Sequence, residues 1–317
     1  MNKGIRITMN ILIFAVVIGF VWYMVSSLRK NEPIFGSIKM TGEQSVYKKV
    51  SSIKTKSEIV RFDLSDDKIF IALNHAVVVY SKAGTLVKQF PIEQEIRDIK
   101  VEDGRIYLLF PAAMAVYSVE GEEITGWKAR RNNSDYCAMA LTSDYVFVTD
   151  AGNKNICKYT KEGEYVAVIL SPEGFIIPSF AFDILNIRDT IYCSNSGRHR
   201  IESYTLDGEF IAAFGKSGSE PGSFAGCCNP VYLAMTPNGD ILTSEKGNPR
   251  ISCFNRNGTF NAVLLYSKAL SGGVKACSIK AVDGKLYVAG KNTLSVFVYD
   301  PQLAAQSACA GCPAECR

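Results

Sequence analysis

The sequence predicts an all-β protein: a six-bladed β-propeller with four-stranded antiparallel blades, preceded by one N-terminal transmembrane helix. Three observations carry this expectation. Beyond residue 50 the chain is a series of short alternating runs punctuated by Gly, Asn and Asp, with no amphipathic helix of a dozen residues. An aromatic residue followed four positions later by a turn glycine recurs as Tyr80/Gly84, Tyr117/Gly121, Tyr159/Gly163, Tyr204/Gly208 and Phe254/Gly258, and Tyr299-Asp300-Pro301 holds the sixth place. Ahead of the repeats, the 22 residues between Arg6 and Arg29 carry no charge.

The apolar run ITMNILIFAVVIGFVWYMVSSL comes first. As a helix it spans ~33 Å, enough for a hydrocarbon core of about 30 Å. A cleaved signal peptide has a shorter apolar core followed by small residues. Here Trp22-Tyr23-Met24-Val25 stands at that place, and Trp22 and Tyr23 suit a membrane interface. Residues 1–30 therefore read as an uncleaved membrane anchor. Basic residues flank it on both sides (Lys3 and Arg6, then Arg29 and Lys30), so orientation rests on the folded domain that follows. Such a domain is expected outside the cytoplasm, on the periplasmic or extracellular side.

Residues 31–50, with Pro33, Gly36 and Gly42, read as a linker and closing strand. Residues 51–302 read as the propeller and 303–317 as a cysteine-rich tail. The turn glycines are spaced 37, 42, 45 and 50 residues apart, the period of a propeller blade. Each copy also holds an earlier turn: Asp66-Asp67-Lys68, Asp103-Gly104, Thr142-Ser143-Asp144, Ile187-Arg188-Asp189, Asn238-Gly239-Asp240 and Asp283-Gly284. Asx-Gly pairs favour tight hairpins because glycine accepts positive φ. The sixth copy is short of its outermost strand. Residues 44–56 are expected to supply it, which closes the ring and removes an exposed edge.

The segment SGRHRIESYTLDGEFIAAFGKSGSEPGSFAGCCNPVYLAMTPNGDILTSEKGNPRISCFNRNG resembles two consecutive NHL repeats. Arg200-Ile201 leads to Tyr204 and Asp207-Gly208; Arg250-Ile251 leads to Phe254 and Asn257-Gly258. Residues from Asp150 to Gly163 form a looser third copy. The resemblance covers about 57–302 and is strongest over 134–262; the copies at 57–95, 97–130 and 274–302 lack the Arg-Ile pair at the corresponding place ahead of the aromatic. GCCNP with SEKGNPR is similar to a membrane-anchored group of NHL-type proteins. The resemblance implies a propeller ring, and because propeller faces present many loops around one rigid ring, a binding or scaffold module is the expected role.

Composition limits the chemistry. A net charge of +4 with scattered Lys and Arg gives no basic stripe, so nucleic acid is not an expected partner. Only two histidines occur, His75 and His199, which weakens any likeness to propeller lyases that hold zinc with channel histidines. A lactonase-like calcium site would draw on Asn195, Asn229 and Glu245, but Asn is also an ordinary turn former. No phosphate loop, nucleophile elbow or H-E-x-x-H motif is present.

Ten cysteines remain. Cys137, Cys157, Cys193, Cys253 and Cys277 fall in apparent strands and read as small buried hydrophobes. Cys309, Cys312 and Cys316 lie in the tail, where C-x2-C spacing suits thiolate ligation of a metal ion or iron–sulfur cluster. Three ligands are one short of a closed site, and Cys227 or Cys228 could complete it. A disulfide or thiol redox pair, or a tail without a defined role, fits the same spacing. Asn229, Glu245, Lys246 and Arg250 are candidates for a binding face; the alternative for Arg250 is a structural ion pair. The leading expectation is a membrane-anchored binding or scaffold module with a protein partner. The competing one is membrane-associated electron transfer or thiol redox through the cysteines.

Overall fold

The computed structural model describes residues 45–303, apart from 66, 271, 272 and 274. Within that range the chain folds into six four-stranded antiparallel sheets. Strand β1 (Tyr47–Lys54) comes first. Blade 1 holds β2 (Ile59–Leu64), β3 (Lys68–Leu73), β4 (Ala76–Ser81) and β5 (Leu86–Pro91). Blade 2 holds β6 (Asp98–Glu102), β7 (Arg105–Phe110), β8 (Ala113–Ser118) and β9 (Glu123–Lys128). Blade 3 holds β10 (Tyr136–Leu141), β11 (Tyr145–Asp150), β12 (Asn155–Thr160) and β13 (Tyr165–Ile169). Blade 4 holds β14 (Ile184–Ile187), β15 (Thr190–Asn195), β16 (Arg200–Thr205) and β17 (Phe210–Phe214). Blade 5 holds β18 (Tyr232–Met235), β19 (Ile241–Ser244), β20 (Arg250–Phe254) and β21 (Phe260–Tyr266). Blade 6 holds β22 (Ser278–Val282), β23 (Lys285–Ala289) and β24 (Thr293–Tyr299), and β1 is its outermost strand.

Closure is therefore made by the N-terminal strand. Strand β1 pairs antiparallel with β24 from Tyr47↔Tyr299 to Lys54↔Thr293, so the two ends of the ring are joined by backbone hydrogen bonds. This removes the open edge that a three-stranded last blade would leave. The strand straddles residues 50 and 51.

The recurring aromatic and glycine have a common physical cause. In blade 1 the Gly84 N–H donates to the Ser81 carbonyl and the Ser81 N–H to the Thr85 carbonyl, and Gly84 has φ +88°. This is a three-residue hairpin loop that ends in a left-handed residue, and the register shifts at Tyr80 beside it. The same shift falls at Tyr117, Tyr159, Tyr204 and Phe254. The glycines also let neighbouring blades approach. A Cβ on Gly163 would lie 2.5 Å from the Trp127 ring of the blade before it.

The core is divided among the blade interfaces. One buried cluster joins Phe70, Val77 and Phe90 of blade 1 to Ile99, Ile106 and Leu108 of blade 2, and the other neighbours are joined in the same way around the ring. Each large apolar side chain so buried contributes about 1.5–3 kcal/mol. Cys157, Cys193, Cys253 and Cys277 are buried in these clusters, with Cys277 one residue ahead of β22 rather than inside it, and Cys137 is half-buried.

Among the described residues no helix is long and apolar enough to cross a membrane. The expected anchor at residues 1–30 and the tail from residue 304 onward, with Cys309, Cys312 and Cys316, lie outside the described residues.

Candidate functional site

The six inner strands, β2, β6, β10, β14, β18 and β22, surround the central channel. The loops that lead from one blade into the next open on one face, termed here the upper face. The first hairpin turn of each blade opens on the lower face.

The channel is closed near its middle by charge pairing. Arg61, on β2, reaches across to the opposite blade and places Nη2 2.7 Å from Asp183 Oδ1 and Nη1 3.3 Å from Asp183 Oδ2. Its Nε is 3.7 Å from Asp98 Oδ1, and its guanidinium lies 4.3 Å from the centre of the Tyr232 ring. Burial opposes the charge on Arg61, but Asp183 and Asp98 outweigh it and raise its pKa. The aspartates do a second job: each accepts a backbone N–H from the next inner strand. Asp63 accepts from Val101, Asp98 from Met139 and Asp183 from Leu233, at 2.8, 2.9 and 2.7 Å. Paired and hydrogen-bonded in this way, the buried charges are satisfied.

Below this belt lies a cavity of about 320 Å³ that includes Asp63, Lys100, Asn186, Met235 and Lys280 in its lining. Burial lowers the Lys280 ammonium to about 8, even with Asp63 in contact with it. Above the belt, Tyr232 and Val60 floor a second cavity whose rim includes Ser179, Lys246 and Lys275.

The upper face beside that rim is built by two long loops. The loop from β13 to β14 carries Ile176 and Phe180, 47% and 58% exposed. Ser179 and Phe180 are both left-handed, at φ +58° and +56°, a conformation costly for a residue with a side chain. The loop from β17 to β18 carries Gly226-Cys227-Cys228-Asn229. Cys227 is exposed and Cys228 fully buried, with its Sγ 3.7 Å from Ser179 Oγ. Burial works to raise the Cys228 thiol, but hydrogen bonds from Cys227 and Ser179, with the Lys246 charge, outweigh it and the net direction is down. Cys227 is pushed up, first by its hydrogen bond to Cys228.

The four candidates for a binding face divide. Asn229 is buried and spends its amide on the loop: Nδ2 donates to the Ala225 and Lys246 carbonyls, and Oδ1 accepts from the Lys246 N–H. Glu245 and Arg250 form a buried ion pair, with Arg250 Nε 2.7 Å from Glu245 Oε1. The same guanidinium donates to the Ser219, Glu220 and Ser223 carbonyls, which pins the cysteine loop to blade 5. These three hold the face in shape. Lys246 alone of the four is half-buried at the surface, on the cavity rim beside Cys228. Cys227 and Cys228 are not joined by a third His, Cys, Asp or Glu into a metal-sized group among the described residues. Of the calcium candidates, Asn195 hydrogen-bonds Glu202 and the Gly174 carbonyl, and Asn229 and Glu245 are spent as above.

Sequence reasoning missed the Arg61 belt and the Ser179-Phe180 turn. The run IVRFDL did carry a signal, since charged Arg61 and Asp63 interrupt an apolar inner strand. Their partners, Asp183 and Asp98, are far away in sequence. Nothing in the letters at 179–180 marks left-handed backbone.

No family model matches the chain, and no curated protein does. Solved structures do match its fold. Virginiamycin B lyase from Staphylococcus aureus is 10% identical, with 80% of this chain and 99% of that one covered and a TM-score of 0.60. A protein of unknown function from Bacteroides thetaiotaomicron is 13% identical, covering 81% and 73%, with a TM-score of 0.58. The Pan2 WD40 domain of Neurospora crassa is 10% identical, covering 81% and 96%, with a TM-score of 0.56. At these identities the likeness shows the propeller fold alone.

Proposed function

We propose that this chain is a membrane-anchored, NHL-type propeller that serves as a binding module and takes a protein partner on its upper face. The observation that carries this reading is the contrast between the channel and the upper face. The belt of Arg61, Asp98 and Asp183 is satisfied internally, whereas the β13–β14 loop holds Ile176 and Phe180 out to solvent on costly backbone. Aromatic side chains are enriched at the cores of protein interfaces, and exposed Phe180 supplies one with Ile176 close by on the same loop. The apolar run at residues 7–28 and the Arg-Ile repeats support the anchor and the family. A single N-terminal anchor followed by a folded domain supports an extracytoplasmic propeller.

The test is photo-crosslinking in intact cells, with a crosslinking amino acid at Phe180 or, on the lower face, at Met235. The expected outcome is one discrete adduct from position 180 that is lost when Ile176→Asp is added, and none from position 235. Adducts from 235 alone, or none from 180, would overturn the reading. Protease accessibility of the propeller on intact cells tests its side of the membrane.

A further inference from the structure

The two sulfurs of the β17–β18 loop form a unit that the binding role does not use. Cys227 is open to solvent, and Cys228 lies under it against Ser179 and Lys246. The loop is not free to drift. Arg250 holds three of its carbonyls, Asn229 ties it to Lys246, and His199 Nε2 contacts the Gly226 carbonyl. A reachable thiol is thus paired with a sheltered neighbour that has donors around it.

We propose that Cys227-Cys228 is a thiol–disulfide exchange site that reduces a disulfide presented at the upper face. The chemistry balances without any further group. Cys227, having passed its proton to solvent, attacks one sulfur of the incoming disulfide; that S–S bond breaks, a mixed disulfide forms on Cys227, and the first thiolate leaves and takes a proton from solvent. Cys228, deprotonated, then attacks Cys227 Sγ. The mixed disulfide breaks, the second thiol leaves, and a Cys227–Cys228 disulfide forms. Two electrons pass from the pair to the incoming disulfide, and the two thiol protons end on the released thiols. A dithiol reductant resets the pair by the same steps in reverse.

The division of labour follows from the surroundings. The attacking sulfur must be reachable, which Cys227 is and Cys228 is not. The displacing sulfur need only reach its neighbour, and once Cys227 is in the mixed disulfide the Cys228 thiolate still has the Ser179 and Lys246 contacts to favour it. Lys246 is a positioning residue here, acting through Cys228.

The test uses the full-length chain in detergent with Cys309, Cys312 and Cys316 changed to Ser, so that tail thiols do not report. The probe is the aromatic disulfide dithiobis(nitrobenzoate), read by released chromophore, intact mass and peptide mapping. The expected product is a chain lighter by two hydrogens, with a Cys227–Cys228 disulfide and no retained adduct. Cys228→Ser is expected to stop at a stable adduct on Cys227. Lys246→Gln is expected to slow the second release by about threefold or more. A parent chain that keeps its adduct on Cys227, as Cys228→Ser does, would overturn the proposal, and equal second-phase rates would overturn the part given to Lys246. The outcome does not depend on the crosslinking result, so either reading can fail alone.

Discussion

Blades 4 and 5 are written from nearly the same words and use them differently. Both begin their third strand with Arg-Ile, and both arginines reach back to the loop that leads into their own blade. Arg200 meets a side chain there, the exposed carboxylate of Glu173, and pairs with Glu202 on its own strand at 2.7 Å. Arg250 meets three backbone carbonyls and pairs with Glu245 at the end of the second strand. The Arg200 side chain is 17% exposed and that of Arg250 1%. The repeated arginine is thus a clamp in both blades. What differs is the loop it holds: the longer β17–β18 loop folds over Arg250 and dries it. A dry clamp is costly to break because the surviving partner stays buried and charged.

Arg250→Met is therefore expected to show the largest effect, a loss of about 3–5 kcal/mol in urea unfolding, because it strands Glu245. Arg200→Met should lose only about 1–2 kcal/mol, since Glu202 keeps hydrogen bonds from Tyr204, Asn195 and Ser171. Equal losses would erase the distinction between the two clamps.

The turn glycines sharpen the same comparison. Gly208 and Gly258 have nearly equal φ, +91° and +87°, so backbone strain on substitution is the same. A Cβ on Gly258 would fall 2.3 Å from the Phe214 ring, whereas one on Gly208 would fall 2.9 Å from Ile169 Cγ1, part of a smaller aliphatic side chain. Gly258→Ala should cost about 2–4 kcal/mol and Gly208→Ala about 1–2 kcal/mol, read by the same titration.

Removing both charges of the dry clamp should recover part of the loss. The double variant Glu245→Gln with Arg250→Met is expected to be about 1–3 kcal/mol more stable than Arg250→Met alone. A further loss would mean that Glu245 has another role.

The smallest effect is a pH slope. Burial raises the Glu245 pKa above its usual value near 4.5, although Arg250 pulls the other way. The folded chain then holds this proton more tightly than the unfolded one. The contribution to stability is full below about pH 4.5 and is lost as pH rises through the folded value. Glu245→Gln should therefore gain on the parent chain as pH rises across that window. A difference that runs the other way would show that Arg250 outweighs burial.

Much of this molecule could be read along the chain. The hairpin at Tyr80–Gly84 and its repeats needed only local information, because a left-handed turn residue and the aromatic beside it are neighbours in sequence. The missing strand of the sixth blade pointed to the N-terminal stretch for a similar reason: a count of strands leaves an edge to be closed. The site was harder. Asn229, Glu245 and Arg250 were visible as polar residues near a cysteine pair, but the letters do not say which way a side chain turns, and three of the four candidates turn inward.

The sequence by itself determined the ring: its period, its turns and the place of the cysteine loop on a face. These follow from short-range rules, since strand alternation and positive φ are decided within a few residues. Only the tertiary structure decided where the charges went. Arg61 finds Asp183 from 122 positions away, and Ser179 comes to rest beside Cys228 from 49 positions away. Closing a ring brings opposite blades across a narrow channel and sets neighbouring loops side by side. Which groups meet there depends on blade geometry, and no local pattern records it.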